Sequence, residues 1–109
     1  MSHRVTTQTQ ITNKELAVQA LKSAGWSYQE QGTVLFITGG PMRNASLDTR
    51  TGTITGDSDY HNRGTLGALR RHYTEALIRA DAIKKGATVE SREVLKNGDI
   101  RLVLTANFG

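Results

Sequence analysis

An α+β sandwich, with two helices packed on one face of an antiparallel sheet, is the fold class this sequence predicts. A doubled pattern is the first ground. Residues 17–24 read as helix and lead through Gly25 to apolar segments at 26–28 and 34–37. Residues 66–85 repeat the layout, leading through Gly86 to segments at 87–94 and 100–104. The second ground is economy of apolar surface: two helices on one face of a sheet use nearly every apolar residue in the chain. The third is length, since 109 residues suit a single domain, 1–109, that removes about two-thirds of its unfolded surface from water. The expected order is β-α-β-β-(β-β)-α-β-β, a sandwich related to the ferredoxin-like arrangement. The two halves share layout more than residues, as an old internal duplication would leave them.

The elements follow in order. Residues 4–11 alternate, with Val5, Thr7, Thr9 and Ile11 on one side, as a β-branched strand does. Thr12 and Glu15 have capping-box spacing, and Leu16, Ala17, Ala20, Leu21 and Ala24 then form an inward helical stripe. Gly25 supplies the left-handed residue that ends such a helix. Trp26 and Tyr28 open a second strand that turns near Gly32, and residues 33–38 form a more continuously apolar third, expected to be the most buried. Gly39-Gly40-Pro41 breaks it, because proline cannot donate to a ladder. Residues 44–48 and 53–55 flank Thr49-Arg50-Thr51-Gly52, a hairpin with glycine at its positive-φ position. Residues 56–64 form a polar loop before the long helix, whose Leu66, Leu69, Tyr73, Leu77, Ala80 and Ile83 share one side. Arg71 and Glu75 stand at i,i+4 spacing on it, a pair worth a few tenths of a kcal/mol. Asn97-Gly98 between two apolar alternating runs is the strongest hairpin signal in the chain.

Composition bounds the function classes. The chain has no cysteine, which excludes disulfides, thiolate chemistry and cysteine-ligated zinc and fits a reducing, cytoplasm-like compartment. No apolar run approaches the roughly 18 residues of a membrane span, and residues 1–10 lack the apolar centre of a secretory signal. Apolar residues make up 37% and aromatics 6%, so the core is thin and self-association would complete it. Fourteen cations against ten anions give a net charge of +4, which permits an anionic partner while describing a mixed surface rather than a basic tail.

Two clusters carry candidate chemistry. Gly56-Asp57-Ser58-Asp59-Tyr60-His61 places two carboxylates and an imidazole together, as a divalent cation would require, but the glycine at position six and the glutamate at position twelve of a calcium loop are missing. The alternative role for Asp57 or Asp59 is to order the turn and cap the long helix. Arg63, Arg70, Arg71, Tyr73 and Arg79 form the best anion-binding set: guanidinium groups fork onto phosphate or carboxylate, and a tyrosine can stack on a base. Against it, successive helical residues point about 100° apart, and Tyr73 lies in the apolar stripe. Gly39-Gly40-Pro41-Met42-Arg43 matches no phosphate-binding spacing, Trp26 and Phe36 read as core, and Phe108 reads as an oligomer or partner anchor. No nucleophile, base and orienting group can be assembled from spacing, and no motif implies a metal or cofactor.

Several segments taken together are similar to a known family. These are Met1-Ser2-His3 before a strand, Gly52-Thr53-Ile54-Thr55-Gly56-Asp57-Ser58-Asp59-Tyr60, Leu69-Arg70-Arg71-His72-Tyr73, and Lys85-Gly86-Ala87 with Gly98-Asp99-Ile100-Arg101-Leu102. They resemble the hypothetical chloroplast reading frame thirty-five proteins, small proteins of plastid, cyanobacterial and cyanophage genomes with no established activity. The resemblance spans nearly the whole chain, though residues 39–48 are fewer than in the family pattern. It implies a compact α+β domain in a plastid stroma or in the cytoplasm of a photosynthetic cell or its phage-infected host. It also draws attention to Asp57, Asp59, Arg70 and Tyr73. The function expected on these grounds is a non-enzymatic protein-interaction or adaptor module, docking on a protein partner or on itself as a homo-oligomer. The alternative is a binder of single-stranded nucleic acid or a nucleotide through the basic helix, with His61 and the two aspartates as further candidate ligand-binding residues.

Overall fold

The computed structural model describes residues 3–106. The chain forms β1 (Arg4–Gln8), α1 (Lys14–Ala24), β2 (Tyr28–Gln31), β3 (Val34–Ile37), β4 (Ala45–Asp48), β5 (Thr53–Asp57), α2 (Arg63–Lys84), β6 (Ala87–Val94) and β7 (Ile100–Ala106). The class and the element order are those the sequence predicts. Strands β2 to β5 are an antiparallel meander, and β1 pairs with β5, so the five-stranded sheet runs β1-β5-β4-β3-β2. Helix α1 carries the chain from one edge of this sheet to the other. Its Ala17, Ala20 and Leu21 and the α2 residues Leu69 and Tyr73 close over Leu35, Ile37, Leu47 and Ile54 to make the core. Each of those large side chains is worth about 1.5–3 kcal/mol of burial.

Local chemistry explains the boundaries. Helix α1 is capped by Asn13, not Thr12: the Asn13 side-chain oxygen accepts from the Leu16 N–H at 3.1 Å. Gly25, at φ 76°, ends it as expected. Helix α2 starts three residues before the expected position because Asn62 caps it reciprocally with Thr65, whose hydroxyl accepts from the Asn62 N–H. Neither Asp57 nor Asp59 is its cap.

Expectations about burial are corrected at Phe36, Leu77 and Ile83. Strand β3 buries Leu35 and Ile37 while Phe36 faces water, since the sheet is covered on one face only. Fully buried Met42, from the loop after β3, fills core space on the covered side. On α2 the apolar stripe runs through Leu69, Tyr73 and Ala76, and both Leu77 and Ile83 are exposed. Phe108 lies outside the described residues.

The last hairpin does not join the main sheet. Strands β6 and β7 form a two-stranded sheet of their own, with a bulge between Val89 and Ser91. Geometry explains this separation. Helix α2 has 22 residues, about 33 Å, whereas main-sheet strands of four or five residues span about 15 Å. The C-terminal half of α2 outruns the sheet, and the hairpin folds back on that overhang in a molecule 57 Å long.

Candidate binding surface along the long helix

Helix α2 separates two clefts. One, of about 550 Å³, lies between α2 and the segment joining β1 to α1, with Gln8, Gln10 and Ile11 on one wall and Arg70, Thr74 and Leu77 on the other. The second, of about 360 Å³, lies between α2 and the hairpin, with Arg70, Thr74 and Ile78 facing Asp99, Ile100 and Leu102. Arg70 and Thr74 form the ridge between them. Tyr73 lines the first cleft but is buried, and its hydroxyl accepts the Asn13 N–H at 3.2 Å. It ties α2 to the start of α1 rather than presenting a stacking face.

The arginines of the predicted anion site divide by role. Arg79 Nε donates to Glu75 at 2.9 Å, and Arg71 pairs with Asp99 in the hairpin turn at 3.1 Å. Arg63 and Arg70 are exposed, and neither forms an ion pair with another described residue. The expected Arg71–Glu75 pair does not form. Glu75, only 5% exposed, accepts instead from Arg92 of β6 through Nε at 2.7 Å and Nη2 at 3.1 Å, as well as from Arg79. Burial pushes its carboxyl up, and the hydrogen bonds and charges of Arg92 and Arg79 outweigh that, holding it below the usual carboxylate range. Arg92 is raised in turn, chiefly by its hydrogen bonds to Glu75. This three-residue clamp fastens the hairpin to the helix.

The Asp57, Asp59 and His61 cluster is dispersed by its own turn. Asp57 Oδ1 accepts the Asp59 N–H at 2.9 Å, and its carbonyl accepts from Tyr60 and His61, so Asp57 organises the turn as its alternative role requires. His61 swings inward to 7% exposure, with Nε2 at 2.7 Å from Thr7 Oγ1 and no hydrogen-bond partner for Nδ1 among the described residues. Burial lowers its pKa. Gly56 makes room for this ring, since a Cβ there would sit 3.1 Å from His61 Cβ. Among the described residues no three His, Asp or Glu side chains are grouped to hold a metal ion.

Two contacts escaped the sequence reading. Arg43 stacks on the Tyr60 ring at 4.5 Å and donates to its hydroxyl at 2.8 Å, a cation–π contact that long-range pairing alone creates. Ser23 Oγ and His72 Nδ1 lie 3.0 Å apart across α1 and α2. A serine beside a histidine one turn from a glutamate has the ingredients of acyl-transfer chemistry, but the geometry is wrong for it. Glu75 is occupied by two arginines and forms no hydrogen bond to His72. The pair is a clasp between helices. Burial lowers the His72 pKa, with Glu75 acting the other way and Arg92 and Arg71 reinforcing the drop.

Exposed apolar side chains are concentrated on the overhang. Leu77, Ile78 and Ile83 of α2, Val94 and Leu95 at the end of β6, and Val103 and Leu104 of β7 are all open to water, whereas Phe36 alone is so on the main sheet. Among the described residues no helix is long and apolar enough to cross a membrane. Comparison with protein-family models, with curated proteins and with solved structures found no match to this chain.

Proposed function

We propose that this chain is a non-enzymatic protein-interaction module that docks through the overhang built from the C-terminal half of α2 and the β6–β7 hairpin. The observation that carries the reading is the concentration of large apolar side chains there, from Leu77 at 43% exposure to Val94 at 55% and Ile83 at 77%. Scattered exposed leucines need no explanation, but a patch gathered on one appendage marks a surface that partners cover. The similarity of Leu69-Arg70-Arg71-His72-Tyr73 and the glycine-framed segments to the chloroplast reading frame thirty-five family supports a setting in a plastid stroma or the cytoplasm of a photosynthetic cell, including one infected by a phage.

One observation favours a second reading, binding of a nucleotide or single-stranded nucleic acid. Arg70 has no carboxylate partner among the described residues and stands on the ridge between both clefts. The reading is weaker because Arg71 and Arg79 already neutralise Asp99 and Glu75.

Salt separates the two. Immobilised protein is challenged with lysate of a photosynthetic host at low and high salt, beside an Ile83→Asp/Val94→Asp variant altered only at exposed positions. Apolar docking retains the same partner at high salt and loses it in the variant. Retention that collapses with salt, survives the double substitution and disappears in Arg70→Ala would refute the interaction module and favour the anionic ligand.

A further inference from the structure

We infer that the partner covering the hairpin is a second copy of this chain, paired antiparallel along the outer edge of β7 about a two-fold axis at Val103. The inference rests on the interaction reading above and names its partner. Among the described residues β7 pairs only with β6, on one side. A two-stranded sheet is marginal in water unless further strands or a helix support it, and here α2 supports only one face.

The composition of the edge singles out β7. Strands at the rims of the main sheet are polar: Arg-Val-Thr-Thr-Gln in β1 and Tyr-Gln-Glu-Gln in β2. Strand β6 carries Glu90, Arg92 and Glu93 and a bulge, the devices that protect an edge. Strand β7 reads Ile-Arg-Leu-Val-Leu-Thr-Ala, with one charge in seven residues and no proline or glycine. That is an edge built to be paired.

Register follows from the hydrogen-bond alternation. The Leu95 N–H bonds to the Asp99 carbonyl at 2.8 Å, so the next pair, Val94 with Ile100, is non-hydrogen-bonded and the ladder alternates from there. Arg101 and Val103 therefore turn their backbone groups toward β6, and Ile100, Leu102 and Leu104 turn theirs outward. A second β7 docked on that side places Leu102 opposite the partner's Leu104 as a bonded pair and Val103 opposite the partner's Val103 as a non-bonded pair. Pairing about Val103 matches all of β7 with itself and sets Arg101 opposite the partner's Thr105. Centring two residues earlier, on Arg101, would instead oppose two guanidinium groups. The edge is self-complementary in shape and charge, as a two-fold interface must be.

The absence of cysteine makes the register directly readable. Non-hydrogen-bonded antiparallel partners have Cα atoms about 4.5 Å apart, inside the disulfide range of about 4.4–6.8 Å. Val103→Cys, at an exposed site, should convert to a linked dimer under mild oxidation. Arg101→Cys and Thr105→Cys should each remain largely free of disulfide-linked dimer alone and link to one another when mixed. Ser91→Cys, across β6 from Val103 in the same chain, is the control for the other edge. Light scattering showing only monomer at high concentration overturns the inference, as does Arg101→Cys linking to itself or Ser91→Cys linking as fast as Val103→Cys. If Val103→Cys fails to link while a lysate protein is still retained through Ile83 and Val94, this inference falls and the interaction reading stands. If neither association occurs, both fall.

Discussion

Replacing Arg92 by methionine tests whether the hairpin is held by charge. The substitution keeps an apolar stem of similar reach and removes both hydrogen bonds to Glu75, at 2.7 and 3.1 Å. Glu75, 5% exposed, is left with Arg79 alone. Removing one partner of a fully buried ion pair costs about 3–5 kcal/mol. The Arg92 side chain is 33% exposed and that of Arg79 38%, so water reaches part of the site and the expected loss is about 2 kcal/mol. The loss is local, because the main core, with Trp26 in it, does not depend on the clamp. Hydrogen exchange should therefore show β6 and β7 amides opening about 30-fold more often, while the urea midpoint read by Trp26 fluorescence moves little. The pH dependence has a defined sign. The folded carboxyl titrates below its unfolded value, so the stabilisation is complete above the ordinary range near 4.3 and disappears as pH falls through the folded value. Wild type and variant should converge in acid. Unchanged hairpin exchange, or a core that loosens as much as the hairpin, would refute the reasoning.

Two other substitutions test the frame. Gly52 sits at φ 79° with the direction of a Cβ blocked by the Thr9 carbonyl oxygen, which lies against it because the Thr9 N–H and hydroxyl both donate to the Gly52 carbonyl at 2.9 and 2.6 Å. Gly52→Ala should cost at least about 2 kcal/mol, measured by thermal or urea unfolding, and a loss under half of that would contradict the close approach of β1 to this turn. His61 has a folded pKa lowered by burial, so its contribution is present above the unfolded value near 6.5 and is lost as pH falls through the folded one. His61→Gln should flatten the acid limb of a stability-against-pH curve as pH falls below the ordinary imidazole range, and an unaltered limb would show that another group sets it.

Much of the fold was legible because it is written in short-range chemistry. Gly25, Gly52 and Gly98 stand at positive φ where turns or helix ends require it, and the alternation of Val5, Thr7 and Thr9 fixes the inward face of β1. What was not legible depends on which surfaces meet. Helical spacing put Leu77 and Ile83 in the same stripe as Leu69 and Tyr73, and no local signal says that the sheet ends before they reach it. Burial of Phe36 was inferred from an apolar run, yet a sheet covered on one face buries only alternate residues. The capping residues were misread for a smaller reason: Thr12 directly precedes Asn13, and Asp57 and Asp59 precede Asn62 by five and three residues, so several residues able to cap lie close to each helix start.

The same long-range pairing reverses the meaning of the basic helix. From sequence, Arg70, Arg71 and Arg79 on one element read as a positive face awaiting an anion. In the folded chain the anions are internal: Asp99 meets Arg71, and Glu75 meets Arg79 and Arg92. Partner carboxylates therefore convert most of the cationic surface into the fastening of an appendage, and that appendage carries the exposed apolar side chains. Fastening by charge rather than by a deep core leaves the hairpin's apolar positions available, because Val94, Val103 and Leu104 are not consumed in holding it. The function should thus respond to salt in the sense opposite to nucleic-acid binding. With a net charge of +4 on each copy, screening lowers the repulsion between two chains while the buried Glu75 clamp is little affected, so self-association strengthens as salt is added.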